Sequence, residues 1–271
     1  MKAAVCYCTD ENFGDALNRD FFKFLGYEVI DTESHNAEVS GIGSILSWKV
    51  QAANFRGIVL GSGIIDSDHS FLSPLAESVL LVRGPKTAAR MLQRPEFGYA
   101  DPGIIVSEIF PAQSSPKRDV LIMPHYADAK DDRWTALAKA LNTECFSVER
   151  RPIDVARAIY SCRLLVTSSL HGIIAADSYG IPVIWVSSGN LWGGRFKFDD
   201  YHEGLGVHRF PIPVTSVERY VETRMFRPVD ERAVYESMQR VHHAVEVFRR
   251  KLVKLKIKRR IGRFMSLLTR P

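Results

Sequence analysis

The sequence predicts an α/β fold with mainly parallel strands and a long C-terminal helix. Over the first 223 residues, short apolar runs alternate with helix-like stretches. These runs are continuously apolar, as is typical of strands that are buried on both faces of a parallel sheet. After residue 230 the pattern changes to apolar residues at every third or fourth position, which indicates a helix.

Seven apolar runs are predicted strands, at residues 3–8, 27–30, 57–60, 79–82, 120–123, 164–167 and 183–186. Residues 110–118 (FPAQSSPKR) concentrate Pro, Ser, Gln and charge, which is typical of a linker. We therefore expect an N-terminal Rossmann-like domain at residues 1–110 and a C-terminal one at residues 117–223, each a small doubly wound sheet. A ligand would bind in the cleft between them.

Residues 228–271 are predicted to form a long, basic, amphipathic helix. Its main apolar stripe consists of Val234, Met238, Val241, Val245, Phe248, Leu252 and Leu255. We expect this stripe to pack across the body of the protein instead of forming a coiled-coil dimer. A second, offset stripe consists of Ile257, Ile261, Phe264 and Leu268, and Gly262 is a candidate break in this part of the helix.

The composition is that of a globular protein, with 46% hydrophobic and 25% charged residues in 271. No apolar run approaches the length needed to cross a bilayer or to form the core of a signal peptide, so we expect a cytoplasmic protein. The four cysteines lack the spacing of a disulfide framework or a zinc site. No set of His, Cys, Asp and Glu has the spacing of a dedicated metal site.

The net charge of +5 is unevenly distributed. Residues 249–271 contain ten Lys and Arg and no acid, which leaves 26 bases against 31 acids in the rest of the chain. An acidic body argues against binding of nucleic acid. The basic tail around the second apolar stripe is the composition of an interfacial helix, and predicts a peripheral association with the anionic inner face of the cell membrane. The alternative interpretation is a solubilising charged terminus.

Two motifs follow predicted strands and precede predicted helices, where backbone N–H groups bind anions. In the first, Asn12 and Gly14 are candidate anion-binding residues and Asp15 is a candidate base, although a plain glycine turn capped by Asp15 explains the same residues. In the second, Ser168 and Ser169 precede His171. A lone histidine is often structural, but histidine ordinarily titrates near neutral pH and is the best candidate here for proton transfer. A GxSxG elbow is absent.

Other candidates occupy the ends of further apolar runs. Arg83 is a planar cation suited to a carboxylate or phosphate, and a surface salt bridge is its alternative role. His125 should face the cleft, whereas Asp101 is expected in an ordinary turn. Arg195 and Lys197 follow glycines in a predicted loop, where they would either close over an anion or be solvated. The segment Gly61, Ser62 and Gly63 lacks the last glycine of GxGxxG, which disfavours a nicotinamide or flavin enzyme.

In order along residues 3–205, the motifs NFGD, GIGSIL, GSG, VRGPKT, DPGI, MPHY, SSLHGIIAADSYGIPVIWV and FKFDDY resemble the polysaccharide pyruvyl transferases, especially the bacterial exopolysaccharide branch. The resemblance implies a two-domain fold similar to the GT-B glycosyltransferases. It also implies phosphoenolpyruvate as co-substrate, no cofactor, and a sugar or lipid-linked oligosaccharide as acceptor. The product would be a cyclic pyruvate ketal.

The resemblance places Arg83 and the Ser-Leu-His segment near the donor. The expected catalytic residues are His171, Asp15 and Arg83. The expected donor-binding residues are Asn12, Gly14, Gly61, Ser62, Gly63, Arg83, Ser168, Ser169, Arg195 and Lys197. His125 is expected in the cleft.

The chain departs from the family pattern at two positions. Many members have Arg where this chain has Ser169, and the exopolysaccharide branch commonly has Arg where this chain has Asp199. Two other functions are compatible with the sequence: a GT-B glycosyltransferase that uses a nucleotide-sugar, and an inactive membrane-associated scaffold whose tail recruits polysaccharide-assembly enzymes.

Overall fold

A computed structural model describes residues 1–9, 12–47, 54–72, 75–113, 116–187, 189 and 193–268, with the backbone alone at residues 263 and 266–268. Within these ranges the strands form two separate sheets, and every strand pair is parallel. The structure confirms the predicted α/β class with parallel strands and a long C-terminal helix. The GT-B likeness and the two-domain division stay predictions.

The first sheet has the strand order β2-β1-β3-β4-β5. Its strands are β1 (Lys2–Cys6), β2 (Glu28–Asp31), β3 (Val39–Ser40), β4 (Ile58–Leu60) and β5 (Ser78–Leu81). The four predicted strands of this half are all present. The two-residue β3 was not predicted, because so short a strand has no apolar run to signal it.

The second sheet has the strand order β6-β7-β8-β9. Its strands are β6 (Arg118–Met123), β7 (Cys162–Thr167), β8 (Val183–Ser187) and β9 (Ile212–Pro213). The three predicted strands of this half are present, and the two-residue β9 is again an addition. Part of the predicted linker, residues 114 and 115, lies outside the described residues.

Helices connect the strands and cover the sheets. They are α1 (Phe13–Phe24), α2 (Pro85–Ala88), α3 (Val106–Ile109), α4 (Asp132–Ala140), α5 (Pro152–Tyr160), α6 (Leu170–Ser178), α7 (Phe196–Gly204), α8 (Val217–Glu222) and α9 (Glu231–Leu268). Short 3-10 helices lie at Ile45–Ser47, Pro102–Ile105 and Val214–Ser216.

The larger of the two apolar cores contains residues from both sheets. Val5 and Leu60 of the first sheet and Leu121 and Leu165 of the second are completely buried members of it. Helix α1 contacts both α5 and α6, and α6 also contacts the 3-10 helix at Pro102–Ile105. The two sheets are thus held together where the site described below is found.

Helix α9 packs along the body through its main apolar stripe, as predicted. Phe248 is completely buried, with its ring 6.1 Å from that of Phe22 and 5.8 Å from that of Tyr27. The helix continues through Gly262, so the predicted break there is wrong. A single glycine costs a helix only about 1 kcal/mol and does not by itself end one. Among the described residues, no helix is both long and apolar enough to cross a bilayer.

Candidate active site

Polar side chains gather at the carboxyl ends of strands from both sheets. Helix α1 begins after β1, α6 begins directly after β7, and the segment that follows β6 lies beside them. The carboxyl ends of parallel strands are where α/β proteins bind ligands, because helix N-termini and loops converge there. The predicted residues Asn12, His125, Ser168 and His171 all lie in this region.

Helix α1 starts with a side-chain cap that fixes its first acidic residue. The Asn12 carboxamide oxygen accepts the N–H of Asp15 at 3.2 Å, and its amide donates to Asp15 Oδ2 at 2.5 Å. The cap is therefore Asn12, and the alternative in which Asp15 caps the helix is wrong. An Asn cap bonds the N–H three residues on, which leaves the Asp15 carboxylate in the first turn, half-buried at the site.

Gly14 lets the two helix N-termini approach each other. A Cβ atom at Gly14 would overlap the imidazole of His171, so only glycine fits beside this ring. His171 lies in the first turn of α6, whose cap Ser169 accepts the N–H of Gly172 at 3.3 Å. The His171 side chain keeps 14% of its surface exposed, which leaves it reachable from the cleft.

Asp101 faces the Nε2 side of the His171 ring, whereas Gly14 lies beside its Nδ1 side. One oxygen of this completely buried carboxylate accepts the N–H of Gly103 at 2.9 Å. The other, Oδ2, lies 3.7 Å from His171 Nε2, and neither atom has a hydrogen-bond partner among the described residues. The expectation of an ordinary turn was therefore incomplete: Asp101 caps the 3-10 helix and also holds a carboxylate against the histidine.

His125 is a neutral hydrogen-bonding group in the same region. Its backbone N–H donates to Ser168 Oγ at 2.9 Å, which joins the ends of β6 and β7. Its Nδ1 accepts the N–H of Ala127 at 3.2 Å, so the ring proton is on Nε2. Burial lowers the pKa of His125 to about 3, and the nearby Lys197 and His171 add to this effect.

Lys197 is a buried cation. The predicted loop placement is wrong, because Lys197 lies in the first turn of α7 and is only 9% exposed. Burial and, to a smaller extent, Arg83 lower its pKa, whereas Asp15 and Asp128 raise it, and the net result is a decrease from the ordinary 10.5 to about 8. A lysine that is desolvated and incompletely compensated favours an additional anion beside it. The sequence signal for Asp128, an acid shortly after a strand end, was missed.

Arg83 forms a buried ion pair in the wall of the site. Its Nε donates to Asp200 Oδ2 at 3.1 Å, and neither side chain has any exposed surface. Its other nitrogens donate to Ser44 Oγ at 3.0 Å and to the Ile64 carbonyl. The alternative of a surface salt bridge is thus wrong. Arg83 ties the first sheet to α7, and its direct contact with a donor stays a prediction.

The segment from Gly61 to Gly63 supports that ion pair. A Cβ atom at Gly63 would overlap the guanidinium of Arg83, and one at Gly61 would overlap Pro102. Ser62 is completely buried and its hydroxyl lies 2.6 Å from that of Ser40. The structure accounts for these three residues by packing, and their contact with a donor stays a prediction.

Arg195 is separated from the cluster. It precedes Lys197 by two residues, which places the two side chains on opposite sides of a helix. Its guanidinium lies over the rings of Trp185 and Phe210, at 5.6 Å and 5.4 Å, and pairs with Asp199 at 3.1 Å. Of the two predicted cations of this segment, the structure brings only Lys197 to the site. The described residues contain no group of three or more His, Cys, Asp and Glu that could hold a metal ion.

Comparison with known proteins identifies the family. The family model for polysaccharide pyruvyl transferase matches residues 12–190, about two thirds of the chain. The chain belongs to the polysaccharide pyruvyl transferase family. It is 30% identical over 229 residues to the succinoglycan biosynthesis protein ExoV of Rhizobium meliloti (strain 1021), covering 82% of this chain and 71% of that protein. It is 29% identical over 228 residues to the uncharacterized protein L143 of Acanthamoeba polyphaga mimivirus, covering 75% and 74%.

The structure shows the surroundings of Ser169 and Asp199, the two positions at which the chain departs from the family pattern. Asp199 pairs with Arg195 at 3.1 Å, and the charges that act on Lys197 are those of Arg83, Asp15 and Asp128. Ser169 caps α6 where many polysaccharide pyruvyl transferases are expected to have an arginine. The cations that the described part of the chain places in this region are Arg83 and Lys197, and Lys197 lies beyond the residues that the family model matches.

Proposed function

We propose that this pyruvyl transferase takes phosphoenolpyruvate as donor and forms a cyclic pyruvate ketal on two hydroxyls of one sugar. The acceptor is an exopolysaccharide or its lipid-linked precursor, which the similarity to a succinoglycan biosynthesis protein supports. The observation that carries the proposal is a histidine between a buried carboxylate and a helix N-terminus, in one cluster with a buried lysine. The reaction needs a proton donor and a group that binds the anionic donor. The histidine can serve as the first and the lysine as the second.

The chemistry requires one proton transfer before bonds to oxygen form. Protonation of the donor at C3 places positive charge at C2, and a sugar hydroxyl adds there and loses its proton. The bond from C2 to the phosphate oxygen then breaks, phosphate leaves, and the second hydroxyl closes the ring. Of the two hydroxyl protons, one restores the general acid and the other leaves with phosphate.

His171 is the proposed general acid. Asp101 is a positioning residue, because its buried Oδ2 faces His171 Nε2 at 3.7 Å and orients the imidazole. Lys197 binds the phosphate or carboxylate of the donor, and the hydroxyls of Ser168 and Ser169, at the N-terminus of α6, donate hydrogen bonds to the same donor. Asp15 accepts a proton from an acceptor hydroxyl. His125, which is neutral, donates a hydrogen bond from Nε2.

The decisive experiment incubates the protein with phosphoenolpyruvate and exopolysaccharide repeat units, and measures phosphate release together with the mass gain of a pyruvate ketal. We expect His171→Gln to lower kcat by at least about a hundredfold. The matched control, His243→Gln, replaces an exposed histidine of α9 and should keep full activity. A melting temperature raised by a nucleotide-sugar and not by phosphoenolpyruvate would contradict the donor assignment.

The role of Asp101 has its own readout. In Asp101→Asn the carboxylate that faces His171 is lost, so we expect kcat to fall, with little change in KM for phosphoenolpyruvate. An unchanged kcat would restrict Asp101 to its contact with Gly103.

A further inference from the structure

A groove runs between helix α9 and the start of the first sheet. Its volume is about 640 Å³, and it is lined by Met1, Tyr27, Val247, Arg249, Arg250, Lys251, Val253 and Lys254. The floor is apolar, and four cations stand around it. Among the described residues, no ion pair joins any of these cations to a carboxylate of α9 itself.

Tyr27 brings an unused hydrogen-bonding group to this groove. Its side chain is 97% buried, with its ring against that of Phe248. The hydroxyl has no hydrogen-bond partner among the described residues, and the guanidinium of Arg249 lies near it. A buried hydroxyl without a partner is costly and favours an acceptor oxygen supplied by a ligand.

The basic residues of α9 divide into two groups. Lys256 pairs with Glu38 at 3.4 Å, Lys258 pairs with Glu77 at 2.9 Å, and Lys251 pairs with Glu96. Arg259 donates to the carbonyls of Asn36 and Ala37. The second group is exposed and makes no hydrogen bond or ion pair within the described part of the chain: Arg249, Arg250, Lys254 and Arg260. The side chain of Arg263, another base of the predicted tail, lies outside the described residues.

An exposed apolar stripe continues the groove toward the end of α9. Val253, Ile257, Ile261 and Phe264 follow one another at spacings of four, four and three residues, and are 46% to 60% exposed. This spacing places them on one face of the helix, and Val253 also lines the groove. The predicted partner of this stripe, Leu268, has a side chain outside the described residues.

We propose that this face of α9 binds the anionic surface of a membrane, with one acidic phospholipid in the groove beside Tyr27. A water-soluble anion would satisfy the cations and leave the apolar stripe in water. A neutral apolar partner would cover the stripe and bury unpaired cations, which is costly. A second copy of this helix would place its own cations against these. An acidic lipid surface satisfies both the charge and the apolar area.

The test is sedimentation with vesicles of phosphatidylglycerol and phosphatidylcholine, compared with vesicles of phosphatidylcholine alone. We expect binding to the acidic vesicles only. Arg250→Glu/Lys254→Glu should weaken it by at least about tenfold. The matched control, Lys130→Glu/Lys139→Glu, reverses two exposed charges elsewhere on the protein and should leave binding within about twofold. Thermal melting verifies that each variant is folded.

Two further variants test separately how the apolar stripe and the groove contribute to vesicle binding. Ile257→Asp/Ile261→Asp should abolish binding, and Tyr27→Phe should weaken it by about threefold, as expected for one lost hydrogen bond. Equal binding to neutral vesicles, or an unchanged Tyr27→Phe, would overturn the proposal. So would a dimer in solution that Ile257→Asp dissociates, because a second copy would then cover the stripe. None of these measurements depends on transferase activity.

Discussion

The protein places its cationic side chains in two different environments, one buried and one exposed. Arg83 and Lys197 are buried between the first sheet and α7, whereas Arg249, Arg250 and Lys254 are exposed on α9. A buried cation must be compensated by specific partners, so each contact matters individually. Exposed cations are screened by water and act only as a group. The first arrangement suits a small anion held in one orientation, and the second suits an extended acidic surface.

The two buried cations also differ from each other. Asp200 contacts Arg83 directly and is held in turn by Thr87, whose N–H and hydroxyl donate to it at 2.9 Å and 2.6 Å. Lys197 keeps a lowered pKa despite Asp15 and Asp128. Because the charge of Arg83 is compensated by Asp200, Arg83 has a structural role and links the first sheet to α7. Incomplete compensation makes Lys197 the better candidate for a ligand-binding charge.

The largest effect on stability is expected from breaking the compensated pair. Asp200→Asn leaves Arg83 charged and buried without its partner, so the free energy of unfolding should fall by about 3–5 kcal/mol. Urea denaturation measures it. The neighbouring Asp199→Asn is the matched control, because its partner Arg195 is half-exposed, and it should cost less than about 1 kcal/mol. Equal losses of unfolding free energy in the two variants would mean that the buried ion pair contributes no more than the half-exposed one.

The next effect concerns the incompletely compensated lysine. Lys197→Met should weaken phosphoenolpyruvate binding by at least about tenfold, because a charge-assisted hydrogen bond is lost. The same change should raise the Tm of the ligand-free protein, because a desolvated charge is removed. Lys139→Met, at an exposed position of α4, should change neither phosphoenolpyruvate binding nor the Tm. A lower Tm in Lys197→Met would mean that its acidic neighbours compensate the charge fully.

A pH dependence follows from the same residue. Lys197 loses its proton near pH 8 in the folded protein and near its ordinary 10.5 when unfolded, so the unfolded chain binds more protons between these values. This group therefore destabilises the fold below pH 8, and the penalty shrinks as the pH rises toward 10.5. Donor binding should weaken above pH 8 and take up protons there, which calorimetry in two buffers measures. Lys197→Met should show no such uptake.

The smallest effect is expected on the surface of α9. Lys258→Ala removes one exposed ion pair with Glu77 and should change the free energy of unfolding by no more than about 0.5 kcal/mol. Phe248→Ala, in the buried stripe of the same helix, should cost about 3–5 kcal/mol because it leaves a cavity. Comparable losses would mean that the basic residues, and not the apolar stripe, hold α9 to the body.

Much of the fold was predictable because its signals are local. All seven apolar runs are strands, and the stripe from Val234 to Leu255 faces the body. The two-residue strands β3 and β9 have no such signal. For Lys197, two preceding glycines suggested a loop, whereas packing of α7 against Arg83 through Asp200 makes the segment helical and buried.

The sequence by itself determined the α/β class, the family and the amphipathic character of α9, because each depends on the order and spacing of residues along the chain. Only the tertiary structure decided which polar residues act on one another. Asp101 meets His171, and Asp200 meets Arg83, across 117 positions in the latter case. Such pairs depend on how two sheets pack, and burial then sets the pKa of Lys197 and His125. No spacing along the chain records the environment that a folded side chain meets.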